Sequence, residues 1–188
     1  MGKALKNTVA IIIMLIISVA LGYLYEKITT EIEKKAHPVK YEETVYKYSE
    51  QYSVPPEIIF AVIKAESGFD CAVESKAGAI GLMQIMPDTF EWLGKYQLRE
   101  NYPPAMLYDP DTNIKYGTYY LRYLYDRFES WDLAFAAYNA GPARIDSWLL
   151  NPEYAADGGI VYIPIEETRN YLQKVQKNIE SYKKLYFS

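Results

Sequence analysis

The chain has 188 residues, a formal net charge of −4 and 50% hydrophobic residues, enough apolar material for one compact domain plus extra segments. The negative balance, with no basic stripe, argues against nucleic acid as a partner. One cysteine, Cys71, rules out an intrachain disulfide, and one histidine, His37, argues against a Ser-His-Asp triad or a His-rich zinc site.

Residues 7–25 carry no charge. As a helix this run would be about 28 Å long, against about 30 Å for the hydrocarbon core of a bilayer. Lys3 and Lys6 precede it and mixed charges follow it, so the positive-inside rule predicts residues 1–6 in the cytoplasm and an external C-terminal domain. The competing reading is a signal peptide cleaved near Ala20, after Ser18-Val19-Ala20, which would leave a secreted protein. The apolar run continues past Ala20 and is long for a signal core, which favours an uncleaved single-pass anchor. No cysteine lies near the run, which excludes a lipoprotein anchor. Residues 26–40 read as a polar stalk ending at His37-Pro38, and residues 41–188 as the globular domain.

The signals in that domain are overwhelmingly helical. Helices are predicted at about 41–52, 56–67, 87–94, 111–128, 131–139, 144–150 and 166–187. Proline at the first turn opens the helix at 87, and Gly141-Pro142 stops the one at 131–139. Residues 68–86, with Gly68, Gly78 and Gly81, are too punctuated for a helix and read as short strands or an irregular loop. Residues 101–104 read as a loop, Asp109-Pro110 as a turn, and 151–164, with Gly158-Gly159, as a loop.

In the helix at 56–67, Ile59, Val62, Ile63 and Glu66 fall at i, i+3, i+4 and i+7, one stripe of one face. The stripe should face a core, yet it ends in a carboxylate. A carboxylate at an apolar edge loses hydration, so its pKa rises and it can hold a proton near neutral pH. A general acid needs this property. With histidine and cysteine chemistry disfavoured, carboxylate chemistry remains.

Three further segments are unusual. Glu66-Ser67 is followed by Gly78-Ala79-Ile80-Gly81-Leu82-Met83-Gln84-Ile85-Met86-Pro87. Then come Ala137-Tyr138-Asn139-Ala140-Gly141-Pro142 and Ile163-Pro164-Ile165-Glu166-Glu167-Thr168-Arg169-Asn170-Tyr171. Each puts a polar or aromatic residue where a helix meets a loop, and such junctions line clefts more often than cores. Together and in this order, these motifs resemble the catalytic domain of the soluble-lytic-transglycosylase family, the goose-lysozyme-like branch of the lysozyme superfamily. The resemblance covers about 41–180. It implies a mainly α, lysozyme-like α+β fold in which a small irregular or β segment helps form a sugar-binding cleft.

The resemblance also implies an enzyme that cleaves peptidoglycan between N-acetylmuramic acid and N-acetylglucosamine, leaving 1,6-anhydromuramyl ends. Glu66 would be its single catalytic acid and base. Ser75 and Gln84 match sugar-contacting positions, Met86 a cleft-lining one, Tyr138 a tyrosine near the carboxyl, and Asn139 its neighbour holding the loop. Glu167 matches a second cleft acid, with Tyr171 close by. Asp70 matches a turn or cap residue, and Cys71 stands where the family usually has proline. The expected partners are peptidoglycan glycan strands and, through the N-terminal helix, membrane lipid; no metal or cofactor is expected.

Plainer readings stand beside these. Gln84 could bond only backbone, Tyr138 could be a core residue, and Glu167 could simply favour a helix N-terminus. Two alternatives share the motifs: a hydrolytic muramidase of the same fold and a non-catalytic wall-binding assembly factor.

Overall fold

The computed structural model describes residues 2–156 and 159–187. It divides into two compact units, 1–38 and 39–188. The first is a single helix, α1 (Lys3–Ala36). It continues unbroken through Ala36, into most of the segment read as a stalk. Its stretch Asn7–Ala36 is long and apolar enough to cross a membrane, its most apolar 18 residues having a mean hydropathy of 2.4. Ile11, Leu15, Ile16 and Leu21, on different faces, are all exposed, so no face is reserved for a protein core.

The second unit holds α2 (Glu42–Tyr52), α3 (Pro56–Glu66), α4 (Pro87–Trp92), α5 (Pro110–Phe128), α6 (Trp131–Ala140), α7 (Pro142–Leu149) and α8 (Glu166–Tyr186). Local chemistry sets several starts. Proline occupies the first turn of α3, α4, α5 and α7, where its missing N–H costs nothing. Asp109 caps α5 by accepting from the Thr112 N–H (2.9 Å), and Ser130 caps α6 through the Leu133 N–H (3.4 Å). Gly141, at φ +89°, ends α6 and opens α7 in one residue.

Three segments differ from the predicted elements. α4 does not stop in a loop; it runs directly into a π-helical turn, Leu93–Leu98. There the Glu100 N–H closes on the Gly94 carbonyl (2.9 Å). A Cβ on Gly94 would sit 2.8 Å from the Glu100 carbonyl oxygen, so only glycine admits this closure. Pro104–Tyr108 forms a 3-10 helix before the Asp109-Pro110 corner. Residues 68–86 are irregular, with isolated bridges Glu74–Ile80 and Ile80–Ile85. In 151–164, two short antiparallel strands, β1 (Ala155–Ala156) and β2 (Gly159–Ile160), pair Ala155 with Ile160; Gly158 of the predicted loop lies outside the described residues.

α3 is the centre of the domain. Its residues Ile58–Ile63 are all buried, five of them fully, so it is enclosed on every side rather than along one stripe. α8 runs antiparallel beside it. The two are tied by Lys183 to Glu57 (3.8 Å), Asn178 Nδ2 to the Ala61 carbonyl (3.2 Å) and Lys174 Nζ to the Ala65 carbonyl (2.5 Å). α2 is pinned to α5 where the Tyr48 hydroxyl donates to Asp111 (2.6 Å). A smaller cluster of Leu124, Ala134, Ala137, Ile145 and Trp148 joins α5, α6 and α7.

Candidate active site

Glu66 is the last residue of α3, where the helix leaves the core. Its carboxyl keeps a partly accessible edge, but most of its surroundings are protein. Burial removes hydration and pushes its pKa up to about 7. Two groups of α8 oppose that rise: the Tyr171 hydroxyl and the Lys174 ammonium. The Tyr171 contact is loose, since its buried hydroxyl completes no well-formed hydrogen bond. From α6, Tyr138 faces the same carboxylate, and burial together with the Glu66 charge pushes both tyrosine hydroxyls well above their ordinary pKa. Glu66 therefore sits among neutral hydroxyls and one cation, able to hold or release a proton near neutral pH.

Beside it is a cleft of about 260 Å³ lined by Gln84, Met86, Thr89, Tyr120, Tyr138 and Asn139, with Gly141-Pro142 at one end. Glu66 is not itself in this wall; Tyr138 is, and connects the two. A larger cavity of about 520 Å³ lies by the π turn. Its one shielded carboxylate, Glu100, is already paired with Lys115 and Tyr116, so the smaller cleft is where the chemistry gathers.

The loop bearing Gln84 and Met86 is held from beneath. Asn113 of α5 is fully buried. Its Oδ1 accepts from the Met83 N–H (2.8 Å), and its Nδ2 donates to the carbonyls of Ile80 (2.9 Å) and Leu107 (2.7 Å). Gly81, at φ +80°, lies so close that a Cβ would stand 2.3 Å from Asn113 Nδ2. Above, the Tyr138 hydroxyl donates to the Met83 carbonyl (2.8 Å). The Ser67 hydroxyl reaches across to the Leu82 carbonyl (2.8 Å), tying the residue after Glu66 to the same loop.

The residues named from sequence fall into two groups. Glu66, Tyr138 and Tyr171 come together, and Gln84, Met86 and Asn139 line the adjoining cleft. The Gln84 amide donates to the carbonyls of Gly81 (2.9 Å) and Val73 (3.2 Å), so its donor side serves the loop. Its backbone, at φ +49°, is left-handed. Asn139 accepts from the Thr168 hydroxyl (2.8 Å), fixing α6 to the start of α8. Ser75 and Glu167 lie outside the cleft wall. The Ser75 hydroxyl accepts from the Ala79 N–H (2.9 Å), closing the glycine-rich turn, and Glu167 is exposed in the first turn of α8. Asp70 accepts from the Ala72 N–H (2.9 Å), a turn-closing contact.

Asn113, Lys174, Thr168 and Tyr120 were not singled out from sequence. A glycine in mid-helix, Gly117, was the available signal for Asn113. Its absent Cβ would stand 2.4 Å from Met83 Sδ, marking where α5 approaches the loop. Among the described residues, no group of three His, Cys, Asp or Glu side chains is placed to hold a metal ion.

Comparison with known proteins identifies the family. Residues 43–160 match the family model for the transglycosylase SLT domain. The soluble lytic murein transglycosylase of Escherichia coli K12 is 38% identical over 142 residues, covering 73% of this chain and 22% of that protein. The membrane-bound lytic murein transglycosylase C of Serratia proteamaculans is 30% identical over 183 residues, covering 84% of this chain and 50% of that protein. The chain thus spans half or less of these relatives. The crystal structure of the 70 kDa soluble lytic transglycosylase of E. coli superposes with a TM-score of 0.72 at 33% identity, over 81% of this chain and 25% of the other. A complex of the 70 kDa soluble lytic transglycosylase with bulgecin A gives 0.74 at 32% identity, over 83% and 26%. Motifs, lysozyme-like fold and family match coincide, and the chain belongs to the transglycosylase SLT domain family.

Proposed function

We propose that the protein is a membrane-anchored peptidoglycan lytic transglycosylase that cleaves the β-1,4 bond between N-acetylmuramic acid and N-acetylglucosamine. The observation that carries this reading is Glu66, desolvated at the end of a buried helix, with Tyr138 linking it to an open cleft. Protonated Glu66 gives its proton to the glycosidic oxygen as the bond to C1 breaks. The substrate's N-acetyl group stabilises the positive charge at C1, which removes the need for a second carboxylate. The Glu66 carboxylate then takes the proton of the muramyl C6 hydroxyl, whose oxygen bonds to C1. Glu66 is thereby reprotonated, the product ends in a 1,6-anhydro ring, and no water is consumed.

Tyr138 and Tyr171 keep the carboxyl among neutral groups, while Gln84, Met86 and Asn139 contact the strand. Ser75 and Glu167 act less directly, by shaping the loop and the edge of α8. Residues 7–25 form a single-pass anchor with the catalytic domain outside. The apolar, exposed surface of α1 and the likeness to a membrane-bound relative support that placement.

The test is digestion of purified peptidoglycan by the wild-type chain and by Glu66→Gln, with products read by mass spectrometry. Anhydromuramyl products from the wild type, reduced 10²- to 10⁴-fold in the variant, are expected of a general acid. New reducing ends would instead assign a hydrolytic muramidase. Full activity in Glu66→Gln would remove the catalytic assignment.

A further inference from the structure

The cleft beside Glu66 does not end at Pro142. A second groove of about 390 Å³ continues from it, and the two share Thr89, Tyr120 and Pro142 in their walls. Four aromatic rings lead outward in sequence. Tyr138, which faces Glu66, packs on Tyr120 with centroids 5.3 Å apart. Tyr120 stacks on Tyr123 at 6.3 Å, the ring planes nearly parallel at 13°. Tyr123 meets Trp92 edge to face at 5.1 Å. Of these, Tyr120, Tyr123 and Trp92 line the outer groove, and each is only half-buried.

Polar groups edge the aromatic floor. Arg127 is held by Asp146 (2.5 Å) and by Tyr123, so its guanidinium is fixed beside the rings. Asp88 and Thr89 also line the groove. A pyranose ring offers the matching chemistry: an apolar face of axial C–H groups for the aromatic ring, and equatorial hydroxyl and amide groups for the polar edge.

We infer that the outer groove, floored by Trp92, Tyr120 and Tyr123, is a distal sugar subsite that seats the glycan strand away from the bond being cut. The inference rests on the proposed glycan substrate. It gives α4 a role in binding and makes Trp92 a specificity residue for strand length. A linear polymer bound at Glu66 must leave the cleft along some surface, and this one is continuous with it.

The experiment compares the full-length wild type, Trp92→Ala and Trp92→Phe on peptide-free N-acetylglucosamine–N-acetylmuramic acid oligomers of four and eight sugars. With Trp92→Ala, kcat/KM on the longer oligomer should fall about tenfold, while the shorter oligomer is cut at the wild-type rate. Trp92→Phe, which keeps an aromatic face and a similar packing volume, should retain most of the activity. Equal loss on both lengths in a variant that melts like the wild type would overturn the subsite, as would no loss on either. A loss seen only with peptide-bearing strands would reassign the groove to the stem peptide and likewise overturn it. A wild type that cuts neither oligomer would sink the parent reading. In that case, binding of the same two oligomers, read by tryptophan fluorescence, decides the subsite. A preference for eight sugars that Trp92→Ala abolishes supports it, and no such preference removes it.

Discussion

Glu66 is set by opposing influences. Burial raises its pKa, while Tyr171 and the Lys174 ammonium hold the rise back. The lysine also donates to the Ala65 carbonyl, at the negative end of the α3 dipole. If cleavage starts from the protonated carboxyl, activity must fall as pH rises through about 7, where Glu66 loses its proton. Lys174→Met removes the cation that favours the charged form. The carboxyl then keeps its proton to higher pH, and the alkaline limb of the rate profile should move upward. The side chain is largely exposed, so the stability cost should be no more than about 1 kcal/mol. A rate profile measured from pH 5 to 9 checks this; an unmoved limb would show that Lys174 does not tune Glu66.

Among the elements, the loop from Gly78 to Met86 depends most on a partner distant in sequence. Asn113 satisfies one N–H and two carbonyls of the buried backbone. Asn113→Ala should therefore cost about 3 kcal/mol, since it strands groups that water cannot reach. Asn113→Asp should cost more, because it sets a carboxylate oxygen against the Ile80 and Leu107 carbonyls. Urea denaturation of both variants measures the difference, and an alanine variant as stable as the wild type would refute the loop's dependence on this residue.

The same loop shows what could be read beforehand. The starts at Pro56 and Pro87, the turn at Asp109-Pro110 and the break at Gly141-Pro142 were legible because their causes are local. So was the desolvation of Glu66, since an acid closing an apolar stripe is anomalous without any tertiary knowledge. The enclosure of α3 on every side was not, because it depends on α8 arriving from the far end of the sequence. Asn113 and Lys174 were hidden for a related reason. A polar residue on a helix looks solvated until its partner carbonyl is known. The π turn after Trp92 escaped because it depends on Gly94 closing against Glu100.

At the scale of the whole molecule, the two units make different physical demands. α1 exposes apolar side chains on all faces, whereas residues 39–188 contain a buried core of their own. Removing 1–38 should give a soluble protein that retains activity on isolated peptidoglycan, while the full chain should sediment with membranes. Fractionation of cells expressing each form checks both; a full chain found wholly in the soluble fraction would argue for cleavage after Ala20.

The antiparallel pairing of α3 with α8 bears on the order in which the chain is made. Ala65 and Lys174, which join the two helices beside Glu66, are 109 residues apart. Domains fold as their segments emerge during synthesis, so the carboxylate of Glu66 is made long before Tyr171 and Lys174 exist to surround it. Until α8 has emerged and docked, α3 is an apolar helix without its cover, and Glu66 is an ordinary hydrated acid with an ordinary pKa. A nascent chain should therefore be chemically silent, and the proposed cleavage of peptidoglycan should become possible only once α8 has docked.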